Sequence, residues 1–123
     1  MTTIEIANQL VELCRKGKDR EAHALYANDA VSVEPVALPG IEREARGLSA
    51  IQGKTEWWYA NHEIHSVSVN GPWPHDNRFI VGFLIEATNK PSGQRMKFDE
   101  VGLYTVENGK IVREEFFYSM DGI

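Results

Sequence analysis

Near His62 the hydrophobic period of this chain changes from helical to alternating and does not change back. Before that point apolar residues recur mostly at helical spacing; after it they alternate residue by residue almost to the C-terminus. A chain patterned this way has helices first and a meander of strands last. That is an α+β plan, a sheet with helices laid against one face.

The helical part divides into three. Thr2 or Thr3 can cap a first helix whose apolar stripe is Ile6, Ala7, Leu10, Leu13 and Cys14. Gly17 ends it, and Asp19 caps a short second helix with Ala22, Leu25 and Tyr26 facing inward. A strand over residues 30–34 follows, then a loop over 35–47, punctuated by Pro39 and Gly40, that is long enough to serve as a lid or wall. A third helix over residues 48–62 puts Leu48, Ile51, Thr55, Trp58 and His62 on one side. Strands are expected over 64–70, 78–88, 95–107 and 110–120, separated by GPWPHD, NKPSGQ and the hairpin signal Asn108-Gly109. No repeat or linker interrupts this, so residues 1–123 read as a single domain.

Charge and cysteine usage narrow the function classes. A net charge of −5 argues against binding nucleic acid through its phosphates. The single cysteine, Cys14, permits no intrachain disulfide, and its place on an apolar stripe suits a buried, inert thiol. The N-terminus carries no basic and apolar leader, and no apolar run reaches the length of a membrane span. The expectation is a cytoplasmic protein with no membrane partner.

The last hairpin can be given a register. A two-residue turn at Asn108-Gly109 pairs Glu107 with Lys110, Thr105 with Val112, Leu103 with Glu114, Val101 with Phe116 and Asp99 with Tyr118. Asp99, Val101, Leu103, Thr105, Val112, Glu114, Phe116 and Tyr118 would then share the concave, helix-facing side. The convex side would carry Phe98, Glu100, Gly102, Tyr104, Ile111, Arg113, Glu115 and Phe117, aromatics among charges, as where two sheets meet in a dimer.

With YANDAVSVEP early, AI and then WYAN in the third helix, and the GKI turn before the last strand, the layout resembles the nuclear-transport-factor-2-like superfamily. Within it the likeness is to the SnoaL-like and ketosteroid-isomerase-like branches. The resemblance implies a cone-shaped α+β barrel: a curved antiparallel sheet wrapping three N-terminal helices around an apolar pocket, commonly as a homodimer. In ketosteroid isomerases the carboxylate just before this proline is the general base, and a tyrosine with a protonated aspartic acid forms the oxyanion hole. The base position is Glu34 here. The tyrosine position falls on Leu10 and the aspartic acid on Val101, neither of which donates a hydrogen bond, so steroid isomerisation itself is not expected. Asp99 and Tyr118 are the substitutes within reach. Tyr26 and Tyr59 match the supporting tyrosines of the pocket.

Each residue also has a plainer reading. Glu34 could pair with Arg43 or Arg46; Asp99 could be solvated, Glu114 could sit at a rim, and Trp58 could be packing rather than pocket wall. NHEIH is one residue short of the zinc pattern H-E-x-x-H, so no metal is expected, while His65, alternating with Val67 and Val69, is a candidate pocket histidine. GLSAIQGKT has one residue too many for a phosphate-binding loop and reads as helix. The combined expectation is a cofactor-independent isomerase or hydrolase acting on a small apolar molecule. Its catalytic candidates are Glu34, Asp99, Tyr118 and His65; its substrate contacts are Leu10, Tyr26, Trp58, Tyr59, Val101, Glu114 and Phe116. The alternative is a non-catalytic ligand-binding or protein-interaction module of the same fold.

Overall fold

A computed structural model describes residues 1–38 and 40–119; Pro39 of the expected loop and Met120 of the expected last strand lie outside them. Helix α1 (Thr3–Arg15) opens with a capping box, in which Thr2 Oγ1 accepts from the Glu5 amide at 3.2 Å and Glu5 Oε1 from the Thr2 amide at 2.9 Å. Its Ile6, Ala7, Leu10 and Val11 are buried. A short α2 (Asp19–Ala22) and a 3-10 turn (His23–Leu25) lead into β1 (Tyr26–Val33). A hairpin partner, β2 (Glu44–Arg46), precedes α3 (Leu48–Asn61). Four long strands complete the chain: β3 (His62–His75), β4 (Arg78–Asn89), β5 (Arg95–Glu107) and β6 (Lys110–Phe117).

The strands form one curved, unclosed sheet in the order β2-β1-β6-β5-β4-β3. All neighbours are antiparallel except β1 and β6, which run parallel, so the sheet is mixed. Helix α1 packs on β3 and β4, and α3 on β1 and β2. Phe79, Val81 and Phe83 of β4 meet Ile6, Leu10, Ile51 and Ile111 in the core, and Ala87 is buried further along the strand. No helix among the described residues is long and apolar enough to cross a membrane.

Two β-bulges displace the register expected from the sequence. Glu107 pairs with Lys110, as the turn requires, but Val106 pairs with Ile111 and Thr105 with Arg113, leaving Val112 as the extra residue. Beyond it Tyr104 lies opposite Glu114 and Gly102 opposite Phe116. Glu114 and Phe116 therefore do face inward, but their β5 companions are Phe98, Glu100, Gly102 and Tyr104. Asp99, Val101, Leu103 and Thr105, expected on the concave side, are on the convex one. The second bulge falls between Ile64 and Ser66 in β3, at His65. It turns His65 out to solvent, where Nε2 lies 2.7 Å from Thr88 Oγ1.

Phe79 is 1% exposed and meets the Tyr104 ring edge-on at 5.0 Å. Phe79→Ala removes both its burial and that contact, and is expected to cost about 3–5 kcal/mol of stability in urea unfolding.

Candidate functional site

The inner face of the sheet and the helices enclose a cavity of about 480 Å³, a size suited to a small organic molecule. One wall is a row of rings. Trp58 stacks on His62 with centroids 4.0 Å apart, Phe98 meets Trp58 edge-on at 5.5 Å, and Tyr118 meets Phe98 edge-on at 6.2 Å. At the end of the row the Tyr118 hydroxyl donates to Glu34 Oε2 at 2.9 Å. Burial, and after it the charge of Glu34, holds this phenol above its ordinary range, so the hydroxyl keeps its proton and remains a donor.

The second oxygen of Glu34 faces Lys54, with Nζ to Oε1 at 2.8 Å and both side chains nearly covered. Lys54 also donates to Ser32 Oγ at 2.6 Å, and Ser32 in turn donates to Glu114 Oε2 at 2.6 Å. Glu114 Oε1 accepts from the Tyr26 hydroxyl. Local structure explains this clustering. Ser32 and Glu114 are register partners across the parallel β1–β6 pair. Glu34 stands one residue beyond β1, its amide donating to the Arg43 carbonyl at 2.8 Å and its carbonyl accepting from Arg43 Nε at 3.0 Å. Arg43 thus fixes the backbone of Glu34, and the ion pair goes to Lys54. Lys54 lies one turn of α3 from both Ile51 and Trp58 and shares their inward side.

Glu100 projects from β5 into the same cavity and has no hydrogen-bond or ion-pair partner among the described residues. Burial pushes its carboxyl up to about 8, helped by Glu34 and opposed by Lys54. At neutral pH it is a protonated acid and a hydrogen-bond donor. Beside it, a Cβ on Gly102 would stand 3.0 Å from Tyr104 Oη and 3.1 Å from Phe116 Cε1, so only glycine lets those two rings lie across the strand and line the floor.

Of the side chains singled out in the sequence, Leu10, Tyr26, Glu34, Trp58, Glu114, Phe116 and Tyr118 line the cavity. Asp99 and Val101 are carried to the convex face by the Val112 bulge, and His65 is turned out by its own. Tyr59 stands behind the wall: its hydroxyl donates to Asp19 Oδ2 at 2.9 Å, and the Arg20 guanidinium lies 4.6 Å over its ring. Cys14 reaches the cavity as an inert thiol, pushed up to about 12 by burial first and by Asp19 second. The sequence reading missed Lys54, Glu100, Tyr104 and His62 as cavity residues, and Ser32 as the link between Lys54 and Glu114. Lys54 was recoverable, because it sits at helical spacing between Ile51 and Trp58.

The Glu100 environment has a stability signature. Its carboxyl ionises near 4.5 in the unfolded chain and near 8 when folded. The native state holds the proton longer, so this group's contribution is fully present below pH 4.5 and is lost as pH rises to 8. Glu100→Gln should remove that part of the slope: across this window the variant's urea midpoint gains on that of the wild type with rising pH.

The SnoaL-like domain family matches residues 1–118. A solved structure from Mesorhizobium loti, a candidate SnoaL-like polyketide cyclase, is 41% identical over 96% of this chain and 100% of that one, with a TM-score of 0.90. A candidate isomerase from Bacillus subtilis shares 16% identity over 97% of this chain and 90% of its own, with a TM-score of 0.78. A protein of ketosteroid-isomerase-like fold from Catenulispora acidiphila, solved with trimethylamine, shares 17% over 99% of this chain and 91% of its own, at a TM-score of 0.74. The last two share the fold alone. No curated protein matches the chain. By its family match and its Mesorhizobium relative, this chain belongs to the SnoaL-like family.

Proposed function

We propose that the protein binds a small, largely apolar carbonyl compound in the cavity and moves a proton at the carbon beside the carbonyl, without a cofactor. The observation that carries this reading is a pair of unlike carboxyls. Glu34 is ion-paired with Lys54 and accepts from Tyr118, while Glu100, with no partner among the described residues, keeps its proton at neutral pH. Two carboxyls in such unlike surroundings suit a base and an acid sharing one site. Glu34 takes the proton from carbon; Glu100 donates to the carbonyl oxygen as charge develops there. The aromatic row and Leu10 hold the apolar body of the substrate and keep water out.

An isomerase uses this step to move a double bond, and an aldol ring closure begins with it. The polyketide-cyclase description of the Mesorhizobium relative falls in the second class. With water in place of the carbon acid, the same pair supports a hydrolase. Glu34→Gln tests the reading. It should keep ligand affinity and lower turnover of enolisable ketones by about 10²–10⁴-fold, the usual worth of a positioned base. Wild-type turnover should fall as pH rises through about 8 and Glu100 loses its proton. Binding with no turnover in the wild type would mean a ligand carrier instead.

The convex face supports a homodimer. Trp73, Leu84 and Phe117 are 55%, 48% and 50% exposed, and ladder pairing sets Ile80, Val101 and Leu103 among them. Such a continuous apolar area favours a partner, here a second copy. Leu103→Arg should then convert a sedimenting dimer to a monomer; a wild-type monomer would dismiss the idea.

A further inference from the structure

Lys54 is the one lysine or arginine among the described residues that line the cavity, against four acidic side chains: Asp19, Glu34, Glu100 and Glu114. An ammonium has three donors. One goes to Glu34 and one to Ser32, and the Phe116 ring centroid lies 5.1 Å from the nitrogen. No described acceptor takes the third.

The reading of Glu34 as a base, on which this inference rests, has a consequence for Lys54. When Glu34 accepts a proton from carbon, its charge disappears and the lysine is left as a buried cation without its anion, an expensive state. The other acids do not fill the gap. Asp19 is engaged by the Tyr59 hydroxyl, and Glu114 is held by Tyr26 and reaches Lys54 only through Ser32. The two cavity histidines are turned to other partners. His23, lowered by burial, faces Thr55, and His62 faces the Trp58 carbonyl. Tyr104 and Tyr118 are phenols held above their ordinary range by burial and remain neutral.

We propose that Lys54, with Glu100 beside it, makes the cavity a site for an organic oxyanion, an enolate or phenolate on an apolar body, which replaces Glu34 as partner of the ammonium. The step balances. The C–H bond breaks, its proton goes to Glu34, and its electron pair passes through the α-carbon to the carbonyl oxygen. The negative charge moves from one neighbour of Lys54 to another. Lys54 is therefore a catalytic residue toward the anion formed, as well as the ion-pair partner of the base. Glu114, an acid held behind Ser32, limits how tightly the anion is bound.

The test uses 4-nitrophenol, whose absorbance reports its own ionisation, with 4-nitroanisole as the neutral isostere. Wild-type protein should bind 4-nitrophenol as the phenolate, with a proton taken up by the protein. Glu34→Gln mimics the protonated base and leaves the ammonium free, so it should bind the phenolate more tightly. Lys54→Met should bind it more weakly. An opposite charge at this range shifts ionisation by about 1–3 pKa units, so each change should be about tenfold or more. Both variants should keep the wild-type affinity for 4-nitroanisole, which reports an intact cavity; if Lys54→Met does not fold, Lys54→Gln takes its place.

Phenolate affinity unchanged on loss of Lys54, weaker in Glu34→Gln, or undetectable in the wild type overturns the proposal. Turnover separates it from the reading beneath. If Glu34→Gln abolishes turnover while phenolate affinity ignores Lys54, only the oxyanion site falls. If Glu34→Gln turns over normally, the base itself is wrong.

Discussion

The polar cluster around Glu34 depends on one long-range pairing, the parallel alignment of β1 with β6. A parallel pair cannot be closed by a tight turn and needs a crossover. Here the crossover is most of the protein: β2, α3 and the strands β3, β4 and β5. The alignment sets Ser32 beside Glu114 across 82 positions of sequence, and it brings Glu34, just past β1, to Tyr118, just past β6. The crossover also lays α3 against β1, with Lys54 on its inward side. Remove the pairing and these five groups have no reason to meet.

The cavity then has to accommodate more acid than base, and each glutamate does so differently. Glu34 is paired with a cation, Glu114 is hydrogen-bonded by two hydroxyls, and Glu100 retains its proton. These are three answers to the same desolvation cost. They are coupled, because the charge on Glu34 is among the causes that keep Glu100 protonated. A change at any one of them alters the others, so the cluster works as a unit rather than as independent residues.

What was legible in the sequence was periodicity; what was not was its interruption. The alternation Phe79, Val81, Phe83, Ile85, Ala87 in β4 is unambiguous, and the structure buries four of the five. The Asn108-Gly109 turn correctly sets the first pair beyond it, yet a turn fixes register only as far as the next bulge. The face of Val101 and Leu103 is the more apolar of the two in the unbulged register, so composition pointed to the wrong side once Val112 was inserted. Pairing β5 to the clearer strand β4 would have pointed to the right one, since Phe79 lies opposite Tyr104 and Ile85 opposite Phe98. His65 failed for the same reason: a residue inserted in β3 reversed the side it faced. Glu34 was legible because no bulge separates it from the proline that marks its place; Lys54 was missed although helical spacing is not interrupted in α3.

Leu10 gives the arrangement its particular character. It lines the cavity at the position where the resemblance would have put a neutral hydroxyl donor. On the proposed reading, the donor that joins Glu100 at the substrate oxygen comes instead from α3, and it is a cation. A neutral donor stabilises developing charge on the substrate and leaves the base alone. A lysine does both, favouring the carboxylate before proton transfer and the oxyanion after it. The cation that pairs with the base at the outset is recovered as a partner for the product charge. The net cost of transfer is thus set by how far the charge moves relative to Lys54, not by whether Lys54 is present in one state alone. That distance depends on where the substrate oxygen lies between Lys54 and Glu100, which makes the fit of the apolar body against Leu10 and the aromatic row part of the chemistry.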